Sequence, residues 1–177
     1  MRFLIAFTLL TISFVFTASA KDGQVVTVIK SSTLEETARK AENEKIIDIA
    51  VKHVEAANGN LGIGVLHRPI MKSEGPITAI LHHKQSEIYR IMAGSGTLAT
   101  SNSMTDVRTL DPDGFTVQNL TGPSGFGKII TPENSQLVTK GDIVIIPAGI
   151  AHGFSEITEA IDYMVVRIDP DKLVALK

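Results

Sequence analysis

Four residues, three of them close together and the fourth far along the chain, carry side chains that could do chemistry together. His82 and His83 are neighbours in a β-rich run, Glu87 follows a few residues later, and His152 lies towards the C-terminus. Two imidazoles and one carboxylate from separate strands form the facial triad that binds divalent iron and related metals and leaves coordination positions open. The sequence contains no cysteine, so any metal must be held by His, Asp or Glu.

The adjacent pair of histidines cannot both belong to such a site if the strand is regular. Successive residues of a strand point to opposite faces, so only one of His82 and His83 shares the interior with Glu87. Which histidine faces the interior depends on how tight the turn over Lys84-Gln85-Ser86 is. A bulge before Glu87 would exchange the faces of His82 and His83.

The elements that must position these residues are mostly strands. A short helix is predicted at 32–45, where Thr33 and Glu36 have the spacing of a capping box. Residues 46–54 are rich in β-branched side chains and fit a strand or a continuing helix. Short β-rich runs broken by Gly and Pro predict an all-β sandwich or barrel; they span 61–70, 76–83, 87–94, 96–100, 136–149 and 160–170. Residues 101–128 predict two strands with long loops, with turns at DPDG and GPSGFG.

Two stretches resemble the paired motifs of the cupin superfamily. The first motif is matched by Gly75, His83, Glu87 and Gly94, and the second by Gly141, Pro147, Gly149 and His152. The resemblance covers residues 75–156 and implies a single-domain, all-β, cupin-type double-stranded β-helix (jelly-roll barrel) with a short N-terminal helix.

The resemblance also implies a metal site, with His83, Glu87 and His152 as ligands of a divalent transition metal such as Fe, Mn, Zn or Ni. Two positions depart from the family pattern. Leu81 stands where the first histidine of the first motif is usual, and Glu156 replaces an asparagine of the second. The alternative register makes His82 the ligand and moves the missing one to Ile80. His67, in an adjacent strand, is a further candidate for the missing ligand.

The first twenty residues have the composition of a secretory signal. Arg2 precedes an apolar run, and Ala18-Ser19-Ala20 is a small-x-small ending. The predicted organisation is a signal peptide at 1–20, a helical arm at 21–60, a barrel at 61–170 and a tail at 171–177. We therefore expect a secreted or periplasmic protein with no membrane attachment after cleavage.

Composition narrows the class of partner. The net charge is −2 and tryptophan is absent, so nucleic acid is not an expected partner. The resemblance implies a small-molecule substrate or ligand and a homodimer that pairs through its sheets. The predicted function is a metal-binding protein that acts on a small organic molecule, with the reaction type undetermined. The resemblance implies dioxygenase, isomerase, decarboxylase or lyase chemistry if the protein is an enzyme, and no residue in the sequence selects among them. The alternative is a non-catalytic module that binds a sugar or another small ligand and has a degenerate metal site.

Overall fold

A computed structural model describes residues 26–177, so the predicted signal peptide lies outside the described residues. The described chain forms one α-helix, α1, a short π-helix and ten strands. The strands are β1 (Asp48–Ala56), β2 (Gly59–Arg68), β3 (Met71–Lys72), β4 (Ile77–His82), β5 (Ser86–Ser101), β6 (Thr105–Thr109), β7 (Ser124–Ile129), β8 (Asn134–Thr139), β9 (Ile143–Ile146) and β10 (Ala151–Asp169). The predicted all-β class with one short N-terminal helix is therefore confirmed.

Helix α1 spans Ser31–Glu44 and packs through its small residues, because Ala38 and Ala41 are its buried positions. The predicted capping box is wrong. The helix begins two residues before Thr33, and Lys30 at the N-cap makes no side-chain capping bond. The C-terminal end is closed by Lys45 in the left-handed conformation, whose backbone N–H donates to Glu42.

Residues 48–56 form a strand, although the sequence of this region allowed either a strand or a continuing helix. Strands β1 and β2 form an antiparallel hairpin, so residues 48–60 belong to the sheet rather than to a helical arm ending at residue 60. The β-branched side chains of this run pack better on a pleated, half-buried surface than in a helix. The predicted tail is also attached to the sheet, because Val174 is 2% exposed and its N–H donates to Asp169 Oδ2.

The long strands β5 and β10 organise the sheet. They pair with each other antiparallel along most of their length, with several bulges, and each also pairs with shorter neighbours. Strand β10 contacts β2, β3 and β4, while β5 contacts β8 and β9. One part of the loop region differs from expectation. DPDG is a turn, closed by Gly114 N–H donating to Asp111 O, but the end of GPSGFG forms the start of β7.

Two apolar clusters show which side chains of each strand lie on the same face. The larger one joins residues of β2, β5, β8, β9 and β10, with Tyr163 and Ile161 at 1% and 0% exposure. The smaller one packs Ile77 and Ala79 of β4 against Ile129 of β7, with Leu81 beside them. Since strand neighbours alternate, the smaller cluster leaves Ile80 and His82 on the opposite face of β4.

Candidate metal centre

Three residues from three strands meet in the interior. His82 ends β4, Glu87 is the second residue of β5, and His152 is the second residue of β10. One ligand atom from each lies within 4.8 Å of the other two, and all three side chains are buried. Glu87 Oε2 lies 3.4 Å from His82 Nε2 and 3.3 Å from His152 Nε2. The three Lewis-basic atoms therefore face a common point.

The hydrogen bonds of the two imidazoles assign their tautomers. His152 Nδ1 lies 2.9 Å from the carbonyl oxygen of Ile150, which can only accept, so Nδ1 carries the proton. His82 Nδ1 lies 2.8 Å from Ser124 Oγ, and that hydroxyl lies 2.9 Å from the Gly122 carbonyl and donates to it. The Nε2 atom of each ring is therefore left with its lone pair.

This arrangement fits a metal ion. His152 Nε2 is buried and makes no hydrogen bond, although it lies close to a carboxylate. A proton shared between two such groups would shorten the contact to about 2.7–2.9 Å, the range of charge-assisted hydrogen bonds. A cation between the lone pairs and the carboxylate satisfies all three groups. The N,N,O donor set suits iron, manganese, zinc or nickel.

The surroundings keep Glu87 ionised. Burial alone would raise the pKa of Glu87, but the Arg167 guanidinium opposes that effect, and the pKa lies well below its ordinary value of 4.5. Arg167 Nε donates to Glu87 Oε1 at 2.8 Å, and the Tyr89 hydroxyl donates to Oε2 at 2.6 Å. Burial and the Glu87 charge raise the pKa of Tyr89 well above 10, so the phenol stays a donor. Burial lowers the pKa of His82, which favours the neutral imidazole that metals require.

The structure brings together His82, Glu87 and His152 and excludes His83. The expectation that His83 faces the interior is wrong, because His83 is exposed and its backbone N–H donates to the Pro123 carbonyl outside β4. The physical reason is that Leu81 belongs to the apolar face of β4, so the turn after His82 contains one residue more than the tight spacing assumed.

The ligand missing from the family pattern is not replaced by His67. His67 Nδ1 lies 2.7 Å from Asp162 Oδ1, and His67 lines a separate cavity together with Ile46 and Ile70. The alternative register is the one observed, with Ile80 at the vacant position and directly across the strand pair from His152.

Sequence reasoning missed several residues around the site, chiefly Arg167, Asp48 and Ser124. One signal was available for Arg167. It interrupts the β-branched run YMVVRID at a position that shares a face with Tyr163 and Val165. A charge on the buried face of a core strand requires a buried partner. Nothing in the sequence identified that partner as Glu87.

Comparison with known proteins gives few relatives by sequence. No family model matches the chain. A methionine–tRNA ligase of Bifidobacterium longum subsp. infantis is 30% identical over 94 residues, which are 52% of this chain and 15% of the ligase. The chain thus spans a small part of that enzyme.

Solved structures of low sequence identity resemble the fold. A protein from Bacillus halodurans is 9% identical, with a TM-score of 0.45 over 83% of this chain and 89% of its own. A protein with a double-stranded β-helix domain from Klebsiella pneumoniae is 16% identical, with a TM-score of 0.44 over 82% and 93%. A cupin 2 conserved barrel domain protein from Salinispora arenicola is 15% identical, with a TM-score of 0.38 over 69% and 74%.

These neighbours include one protein described as having a double-stranded β-helix domain and one described as a cupin 2 barrel. The pairing of β10 with both β4 and β5 defines the part of the fold that assembles the site. No helix in the described residues is long and apolar enough to cross a membrane.

Proposed function

We propose that this chain is an exported protein that binds a divalent transition metal through His82, Glu87 and His152 and acts on a small organic molecule. The observation that carries the metal site is the buried, unpartnered Nε2 of His152, held in the deprotonated state by the Nδ1 bond to Ile150. A buried polar atom without a partner is costly, and a metal ion would remove that cost.

The metal would supply Lewis acidity, or oxygen activation if it is iron. The chain's own residues prepare the site for it. Tyr89 donates to Glu87 Oε2 and Arg167 donates to Oε1, so the carboxylate is fixed and ionised before metal arrives. Ser124 and the Ile150 carbonyl fix both rings in the tautomer that presents Nε2. Such outer partners orient metal ligands and raise affinity.

A cavity lined by strand neighbours of two proposed ligands supports a small-molecule substrate. It has a volume of about 380 Å³ and is lined by residues that include Thr100, the cross-strand partner of His152, and Ile146, the cross-strand partner of Glu87. Its polar lining includes Asn134 and Gln136, and among the described lining residues none is Lys, Arg or His. Hydroxyl and carbonyl groups of a bound molecule would find partners in the two amides, and Asp142 adds a carboxylate to the lining.

Metal analysis of protein purified without a histidine tag tests the proposal. Wild-type protein should contain one transition metal per chain, and His152→Ala and His82→Ala should lose it because two ligands are too few for a stable site. His83→Ala is the matched control and should keep its metal. Retention of metal by His82→Ala together with its loss from His83→Ala would contradict the site.

The second candidate is a non-catalytic barrel that holds a small ligand such as a sugar. Ile80 favours it, because an apolar side chain lies across the strand pair from His152 at the position where the family pattern has a ligand. The same metal analysis separates the two. A folded wild-type protein that contains no metal after exposure to Fe²⁺, Mn²⁺, Zn²⁺ and Ni²⁺ would favour the binding module.

A further inference from the structure

A buried cation lies behind the proposed metal ligand. The Arg167 side chain is 3% exposed, and it connects two carboxylates. Its Nε donates to Glu87 Oε1 at 2.8 Å, while its terminal nitrogens donate to Asp48 at 2.6 and 3.4 Å. Burial opposes the charge of Arg167, but Asp48 and Glu87 outweigh that effect and raise its pKa. The guanidinium therefore stays charged in the interior.

The sheet is shaped to admit this pair of ion contacts. Asp48 is on β1 and Arg167 is on β10, with β2 between them. Asp48 reaches across β2 beside Gly64, which has no side chain. A Cβ on Gly64 would stand 3.3 Å from Asp48 Oδ1 and 3.1 Å from Val165 Cγ1, both tighter than ordinary contacts. Glycine at position 64 therefore leaves space for the Asp48 carboxylate, whereas a Cβ on Gly62 would meet the His53 ring at 2.7 Å.

The contact with Arg167 gives the two carboxylate oxygens of Glu87 different partners. Oε1 accepts from Arg167, whereas Oε2 lies on the side of the two imidazoles. We propose that Arg167, oriented by Asp48, is a positioning residue that makes Glu87 a one-oxygen metal ligand. This inference rests on the metal site proposed above. Both carboxylate oxygens would otherwise be free to bind one metal, as a bidentate ligand does.

The planar fork of arginine is what the geometry requires. One edge of the guanidinium meets Glu87 and the other meets Asp48, and lysine, a point charge, cannot keep both contacts in fixed directions. Arg167→Lys therefore keeps the charge and removes the orientation. Asp48→Asn keeps all metal ligands and Arg167 itself and weakens only the support behind the guanidinium. Arg90→Lys is the matched control, because Arg90 is an exposed arginine on β5.

Co²⁺ titration followed by visible absorption, together with infrared spectra of the carboxylate stretch, tests the proposal. Arg167→Lys should bind Co²⁺ about 10–100-fold more weakly, with an altered visible spectrum and a carboxylate band shifted towards two-oxygen binding. Asp48→Asn should change in the same direction by a smaller factor, since the Glu87 contact is retained. Arg90→Lys should match wild type in affinity and in both spectra.

A role in folding alone predicts a different result. Melting temperatures would fall while the folded protein kept wild-type Co²⁺ affinity and spectra, and that outcome overturns the inference. If Arg167→Lys does not fold, Asp48→Asn decides alone, and unchanged binding by that variant also overturns it. Wild-type protein that binds no Co²⁺ refutes the metal site itself, which distinguishes failure of the proposed function from failure of this inference.

Discussion

Replacement of Gly94 by alanine should be among the most damaging single changes in the sheet. Gly94, the last glycine of the first motif, has φ of +73°, where a side chain is strained. A Cβ there would overlap the carbonyl oxygen of Ala160 on β10 and would stand 2.8 Å from the Cα of Ile161. Both neighbours are main-chain atoms, so no flexible side chain can move aside.

The expected cost follows from these two effects. Left-handed backbone costs an L residue about 1–2 kcal/mol. Displacement of packed main chain costs about 1–3 kcal/mol more. Alanine offsets about 0.4–1 kcal/mol of this cost, because it lowers the conformational entropy of the unfolded chain. The net loss is about 1–5 kcal/mol with a midpoint of about 3 kcal/mol, and at that midpoint the melting temperature falls by roughly 6–12 °C in a domain of this size.

Two other motif glycines serve as controls in the same thermal melts. Gly141 has φ of +100° but nothing within 4 Å of a Cβ, so Gly141→Ala should lose only about 1 kcal/mol, the conformational part. Gly75 lies outside the left-handed region and is equally unobstructed, so Gly75→Ala should be neutral or slightly stabilising. If Gly94→Ala melted at the same temperature as Gly141→Ala, the reasoning would be refuted. That result would show that β10 moves away from β5 at little cost in free energy.

The remaining predictions concern acid and export. Metal-free protein should lose stability as pH falls below about 6.5, because burial lowers the pKa of His53 and His82 in the folded state and the unfolded chain binds those protons more readily. A further loss should follow below about pH 4.5, since the pKa of Glu87 is lowered and its contribution disappears on protonation. Melting temperatures in chelator that stay constant down to about pH 4 would contradict the histidine assignments, and no further fall between about pH 4.5 and about pH 3 would contradict the Glu87 assignment. Protein from the native host should begin at Lys21 by intact-mass measurement, and a full-length, membrane-retained chain would exclude the predicted signal peptide.

The sequence by itself determined the class of fold and most of the proposed site. Regularly spaced β-rich runs predicted the strands, and motif spacing identified Glu87 and His152, because those patterns depend on local chain geometry. The ambiguous residues 46–54 show the limit. Their β-branched content allowed a strand, but only pairing with β2 selected it over a helix.

Tertiary structure decided which histidine faces Glu87 and what lies behind that carboxylate. His82 and His83 differ by one position, and the choice depends on the packing of Ile77 and Leu81 against β7, a contact between residues far apart in sequence. Arg167 meets Glu87 only because β10 and β5 pair in that register. Adjacent residues in a strand exchange faces with a shift of one position, so a motif can identify the ligand types while long-range packing decides which residues meet.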